Sequence, residues 1–210
     1  MRERVVIIGA GGFAREVQDV LEACDDRFQL EGFVVEKGHG REGDLVNERP
    51  ILGDLAWLEA RSQEFSSICA VGSPFVRRRL VETVARSGVR FTSALHPSVR
   101  STRWVEIGEG SVVCAGAVLS NRIRISSHVH VNPSCTIGHD CSLDAFSALA
   151  PGVLLSGNVA VGSGAYLGTG ACVIEKKMIG PWSIVGAGSV VIRDVPSNST
   201  VVGNPARVIK

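Results

Sequence analysis

Two patterns of apolar residues divide the chain. In the first half, short apolar runs alternate with segments of helical spacing. Val5–Ile8 is a continuous aliphatic run followed by Gly9, Gly11 and Gly12, which predicts a strand buried on both faces of a parallel sheet. Val17, Val20, Leu21 and Cys24 then share one helical face. Leu30–Val35 predicts a second strand. Ile51–Leu58 holds a Gly-Asp pair and a short helix that Asp54 is placed to cap. Ile68–Val71 predicts a third strand, stopped by Gly72-Ser73-Pro74. Phe75–Ser87 is a basic helix, and Phe91 opens a fourth strand. Strands alternating with helices predict a small Rossmann-like α/β domain over residues 1–95.

The second half keeps a different period. Every sixth residue from Ile107 to Val191 is Ile, Val or Leu: Ile107, Val113, Leu119, Ile125, Val131, Ile137, Leu143, Leu149, Leu155, Val161, Leu167, Val173, Ile179, Val185, Val191. The position four beyond each is mostly small or β-branched, as in Ala117, Cys135, Ser147 and Ala165, with Lys177 the exception. Six fits neither a helix of 3.6 residues per turn nor a strand with one buried face. It fits a parallel β-helix, in which three repeats of about six residues close one triangular coil. The aliphatic points inward and the small residue sits near the corner. Glycines such as Gly108, Gly138, Gly162, Gly168, Gly180 and Gly186, directly after the aliphatic, relax the turn. The end coils expose edges that need covers. The first domain would cover one. The tail, where Pro196, Gly203 and Pro205 break the period, would cover or leave the other. This domain spans 96–210.

Composition narrows the partners. A net charge of +1 argues against nucleic acid. The low aromatic share, 5%, and 24 glycines suit a turn-rich fold of small side chains. None of the six cysteines forms a C-x-x-C pair or has histidines at ligand spacing, so they read as reduced, buried thiols rather than a zinc site. The apolar run near the N-terminus is too short for a signal peptide or a membrane span. The expectation is a soluble, cytoplasmic protein with no membrane partner.

Register singles out one histidine. His139 lies two residues after the inward Ile137, at a turn and pointing outward, with Asp140 next to it to orient the imidazole. His128 and His130 alternate with Val129 and Val131 and are expected to point outward as interface or solvated groups. His96 marks a turn before Pro97, and His39 sits in a polar loop. Thr169 and Ala187 each follow an inward aliphatic by two residues and stack on one edge of adjacent coils. The turn Gly9-Ala10-Gly11-Gly12, between strand and helix, can hold phosphate on its backbone amides.

The repeat resembles that of the left-handed parallel β-helix acyltransferases. The left hand is implied by this resemblance, because parallel crossovers in general favour the right. Three segments, Gly9-Ala10-Gly11-Gly12-Phe13-Ala14-Arg15-Glu16, Leu95-His96-Pro97-Ser98 and Val202-Gly203-Asn204-Pro205-Ala206-Arg207, are similar to one subgroup. It comprises the bacterial nucleotide-amino-sugar N-acetyltransferases, including the UDP-4-amino-sugar enzyme of bacillosamine synthesis, and is also called sialic-acid O-acetyltransferase-like. The resemblance implies acetyl-CoA as cosubstrate, no metal, and a homotrimer with active sites between prisms. It implies His139 as general base and Asp140 as its partner, with Asp where the family has Glu. It places Asn132 at the substrate, and Ala148, Thr169 and Ala187 along acetyl-CoA, with Gly157 matching a glycine near the site. Lys176, Lys177, Arg193, Arg207 and Lys210 are candidates for the CoA phosphates or plain solvated surface. Gly11, Gly12 and Phe13 would lie beneath the sugar nucleotide's diphosphate, Phe13 standing where many relatives have histidine. Glu36 would contact the nucleotide, and Gly72 and Ser73 would face the same crevice.

The expected function is acetyl transfer from acetyl-CoA to the amino group of a nucleotide-linked amino sugar. One alternative is transfer to a sugar hydroxyl, as on a sialic acid. A further alternative is a β-helix that binds or scaffolds without catalysis.

Overall fold

A computed structural model describes residues 2–210, and the chain divides into two compact units between His96 and Pro97. The first unit contains β1 (Glu3–Ile8), α1 (Gly12–Glu22), β2 (Phe28–Val35), β3 (Leu45–Val46), β4 (Arg49–Asp54), α2 (Leu55–Glu59), β5 (Ser66–Cys69), α3 (Pro74–Ala85) and β6 (Arg90–Phe91). Its sheet has the order β3-β4-β2-β1-β5-β6, parallel throughout except for β3 against β4. The aliphatic run of β1 lies at the centre, and Val5 to Ile8 have no exposed surface. Each such side chain contributes about 1.5–3 kcal/mol of burial. Asp54 caps α2 by accepting from the Trp57 N–H at 3.1 Å, as its position in the sequence suggested. The β3–β4 hairpin has no counterpart in the apolar spacing. Its turn places Asn47 and Glu48 at φ 41° and 66°, a left-handed pair with no glycine to signal it. Because β1 is flanked by β2 on one side and β5 on the other, the carboxyl ends of these strands open a crevice at the point where the strand order reverses.

The second unit is a parallel β-helix with three faces built from strands of two or three residues. One face runs through Val118–Leu119, Thr136–Ile137, Leu154–Leu155, Cys172–Val173 and Val190–Val191. The next holds Val105–Ile107, Ile123–Ile125, Ser142–Leu143, Ala160–Val161 and Met178–Ile179. The third includes Val112–Val113, His130–Val131, Ala148–Leu149, Tyr166–Leu167, Ile184–Val185 and Thr200–Val202. The predicted aliphatics from Val113 to Val191 are all buried, and Ile107, on the first coil, is half-buried. The small residues four positions later, such as Ala117, Cys135, Ser147 and Ala165, are equally buried. Each repeat therefore sends two side chains inward, and the second is mostly small or β-branched, as in Ile123, Val129 and Val153, to fit the corner.

The corners correct one expectation. Backbone of positive φ recurs at every sixth residue from Gly110 to Gly188, three residues after the aliphatic. It includes Arg122, His128, Ser134, Asp140, Phe146, Asn158, Lys176 and Trp182, each costing about 1–2 kcal/mol of local strain. Cross-coil hydrogen bonds such as Asp140 N–H to Asn121 O (2.9 Å) and Asn158 N–H to His139 O (2.8 Å) hold them there. The glycines directly after the aliphatic serve space rather than torsion. A Cβ on Gly138 would lie 2.6 Å from the Ser156 carbonyl carbon of the next coil. At the carboxyl end, Ile184 pairs with Thr200, two residues short of the regular step, and Thr200–Val202 folds back on Arg207–Val208 as an antiparallel hairpin. The tail thus covers the edge of the third face.

Candidate active site

The repeat itself positions His139. Ile137 is turned inward, so the chain leaves the face at Gly138 and carries His139 to the corner, where its side chain is 60% exposed. The Asp140 carboxylate reaches back, Oδ2 lying 2.8 Å from His139 Nδ1. Against an ionised carboxylate a neutral imidazole must donate from Nδ1, which leaves the Nε2 lone pair free to accept a proton. The ring lies over Gly157 of the next coil. A Cβ there would be 2.5 Å from Nε2 and 2.6 Å from Cε1. Gly157 is thus the floor on which the imidazole rests. Its own N–H makes no hydrogen bond among the described residues, so it is available as a donor beside the ring. The other oxygen of Asp140, Oδ1, lies 3.3 Å from Arg122 Nε on the preceding coil.

The remaining β-helix candidates gather elsewhere. Thr169 and Ala187 stack on adjacent coils and are both exposed, with the Gly188 N–H donating to Thr169 O at 2.8 Å. They occupy the corner after the third face, whereas His139 occupies the corner after the first. Asn132 is on the Thr169 corner, and its side-chain amide donates to Leu149 O at 2.7 Å. Ala148 is buried in the outer column of the third face, between His130 and Tyr166. Within one chain, His139, Asp140 and Gly157 therefore come together, and Asn132, Ala148, Thr169 and Ala187 do not join them.

In the first unit, Gly11, Gly12, Phe13, Glu36 and Gly72 line one cavity of about 410 Å³ at the carboxyl ends of β1, β2 and β5. Gly11 is the N-cap of α1 and brings no capping side chain, so the first-turn amides open towards this space. Neither Gly11 nor Gly72 has a positive φ, and a Cβ at either would meet nothing within 4 Å. The folded chain does not require glycine at these two positions, whereas Gly9 has φ 109° and crowds Val71. Bare backbone facing an open cavity suits a ligand that approaches closely. Ser73 does not line this space. Its Oγ accepts from the Val76 N–H and caps α3. Glu36 holds Arg79 through two contacts of 2.6 and 2.9 Å, and the guanidinium keeps its carboxyl below the usual range.

Two expectations change. His128 and His130 are buried, at 5% and 1% exposure. His128 lies outside the strand at a left-handed corner, and its ring stacks on Phe146 with centroids 5.1 Å apart. A corner side chain can fold along the column of coils, which simple alternation ignores. His39, expected only as part of a polar loop, lines the cavity at the carboxyl ends of β1, β2 and β5. Burial pushes Cys69 up to about 12 and Cys135 to about 11, so neither supplies a thiolate near neutral pH. Among the described residues no group of three or more His, Cys, Asp or Glu is placed to hold a metal, and no helix is long and apolar enough to cross a membrane.

A Rossmann-like unit with an open glycine-lined crevice, joined to a β-helix with an exposed corner imidazole, defines a two-domain hexapeptide-repeat acyltransferase. The PglD N-terminal domain family matches residues 4–84. PerB from Caulobacter crescentus, solved with CoA and GDP-perosamine, is 35% identical, with 98% of this chain and 97% of that one covered at a TM-score of 0.91. The acetyltransferase domain of PglB from Neisseria gonorrhoeae, solved with acetyl coenzyme A, is 34% identical over the full length of both chains at a TM-score of 0.90. GDP-perosamine N-acetyltransferase of Escherichia coli O157:H7 is 29% identical over 97% of this chain and 95% of its own. The chain belongs to this family, the hexapeptide-repeat acetyltransferases that carry a PglD-type N-terminal domain.

Proposed function

We propose that the protein transfers the acetyl group of acetyl-CoA to the amino group of a nucleotide-linked amino sugar. The observation that carries this reading is the His139 imidazole, tethered at Nδ1 by Asp140 and laid over Gly157 with Nε2 free. The sugar amine attacks the thioester carbonyl and gives a tetrahedral intermediate. His139 Nε2 takes the proton from the attacking nitrogen, and the Gly157 N–H beside the ring is the proposed donor to the oxyanion. Collapse breaks the C–S bond, and the imidazolium returns its proton to the departing thiolate. No covalent enzyme intermediate is needed.

The first-unit cavity is the proposed seat of the nucleotide. Gly11, Gly12 and Phe13 would meet the diphosphate, with Glu36 and His39 at the far wall. The exposed column of Thr169 and Ala187 suits a pantetheine arm. That column lies on a different corner from His139, which is why we propose a trimer in which a neighbouring prism brings the acetyl donor to this chain's imidazole. The relatives that act on GDP-perosamine or bind it make GDP-linked 4-amino sugars the first substrates to try. The test is thiol release from acetyl-CoA with a panel of GDP-, UDP- and dTDP-linked amino sugars, on wild type and His139→Ala. Turnover with one sugar that falls by about 10²–10⁴ in the variant supports the reading. Equal turnover by both proteins refutes the role of His139.

A further inference from the structure

We propose that Arg122 is a positioning residue for this reaction, acting on His139 only through Asp140. The inference rests on His139 being the base. One carboxylate serves two partners: Oδ2 meets His139 Nδ1 at 2.8 Å and Oδ1 meets Arg122 Nε at 3.3 Å. Their spacing is set by the backbone. Arg122 and Asp140 hold the same corner of successive coils, both left-handed at φ 53° and 60°. The Asp140 N–H donates to Asn121 O at 2.9 Å, and two residues on, Arg124 pairs with Ser142 in the sheet.

Arg122 is a poor choice for stability at this place. A left-handed corner favours glycine, asparagine or aspartate. Its side chain is 80% exposed, where an ion pair adds little to folding. What it does supply is direction. Asp140 is itself part-exposed, and a carboxylate with one exposed partner can rotate away into water. With Arg122 on its second oxygen, the carboxylate is held in the rotamer that also faces the imidazole, and the imidazole is held on Gly157. The neighbour on the following coil, Asn158, is neutral. Among the described residues Arg122 is the one arginine or lysine paired with this carboxylate.

The experiment is a double-mutant cycle on the full-length protein, with kcat and both KM values measured for Arg122→Ala, Arg122→Lys, Asp140→Asn, the Arg122→Ala/Asp140→Asn double variant and His139→Ala. Arg122→Ala should lower kcat by about fivefold, the upper worth of an exposed ion pair, with both KM values and the melting temperature unchanged. Arg122→Lys should recover most of that loss. In the Asp140→Asn background, removing Arg122 should change nothing further. If Arg122→Ala leaves kcat intact while His139→Ala is inactive, the inference fails alone. An Arg122 effect that persists in the Asp140→Asn background also overturns it, because the guanidinium then acts elsewhere. If His139→Ala retains activity, the reading of the base fails and the inference falls with it.

Discussion

Gly157→Ala isolates what the repeat does for catalysis. The added methyl carbon would lie 2.5 Å from His139 Nε2 and 2.6 Å from Cε1, against an ordinary carbon contact of about 3.5 Å. The ring must therefore retreat by about 1 Å. It is largely exposed, so it can tilt outward without disturbing the core. Gly157 has no positive φ, so alanine is acceptable to the backbone and removes freedom from the unfolded chain. Stability should hold or rise by about 0.4–1 kcal/mol. Catalysis should not hold. A reacting group displaced by about 1 Å loses about 100-fold in rate, or about 2.7 kcal/mol of barrier. The assay pairs steady-state thiol release with thermal melting. The expected result is a kcat lowered about 100-fold, little change in either KM, and an unchanged or higher Tm. Near wild-type kcat would refute the argument that Gly157 supports the imidazole. A clear drop in Tm would show that the loss comes from the fold.

Other consequences follow from single features. Gly11→Val should raise the KM for the sugar nucleotide at least about tenfold, read by initial rates, while Tm falls only by the loss of a good N-cap residue, because a side chain at Gly11 meets cavity and not protein. The Glu36 carboxyl, watched by NMR titration, should ionise below the usual carboxylate range because of Arg79. The pair's contribution to stability is then complete above the unfolded carboxylate pKa and disappears as pH falls through the lowered folded value. Arg79→Ala should bring the Glu36 titration back up. Leu143→Ala, deep in one face of the β-helix, should cost about 2–5 kcal/mol in chemical denaturation.

Much of this molecule is written in its sequence because a strict period leaves few alternatives. The aliphatic ladder from Val113 to Val191 could be read residue by residue, since a shift of one position would turn every inward side chain outward. The same register placed His139 at a corner beside Asp140. It also holds Arg122, eighteen residues before Asp140 and so one coil away. The left-handed corners were less legible because Arg122, Phe146, Lys176 and Trp182 are unusual in such backbone, and only the stacked coils impose it. The burial of His128 depends on ring stacking along a column, which alternation along one strand does not report. In the first domain, β1, β2, β5 and the helices follow from apolar spacing and the β3–β4 hairpin does not, whereas the Glu36–Arg79 pair joins residues far apart in the chain, and only the folded sheet brings Glu36 and His39 to one crevice.

The central claim is that an amine on a nucleotide-linked sugar receives the acetyl group. The direct measurement incubates the protein with carbon-13-labelled acetyl-CoA and the sugar nucleotide that supports thiol release, then identifies the product by mass spectrometry and NMR, before and after hydroxylamine. An acetyl group on the sugar nitrogen, stable to hydroxylamine and absent with His139→Ala, is the predicted result. A hydroxylamine-labile ester on a sugar oxygen would contradict it.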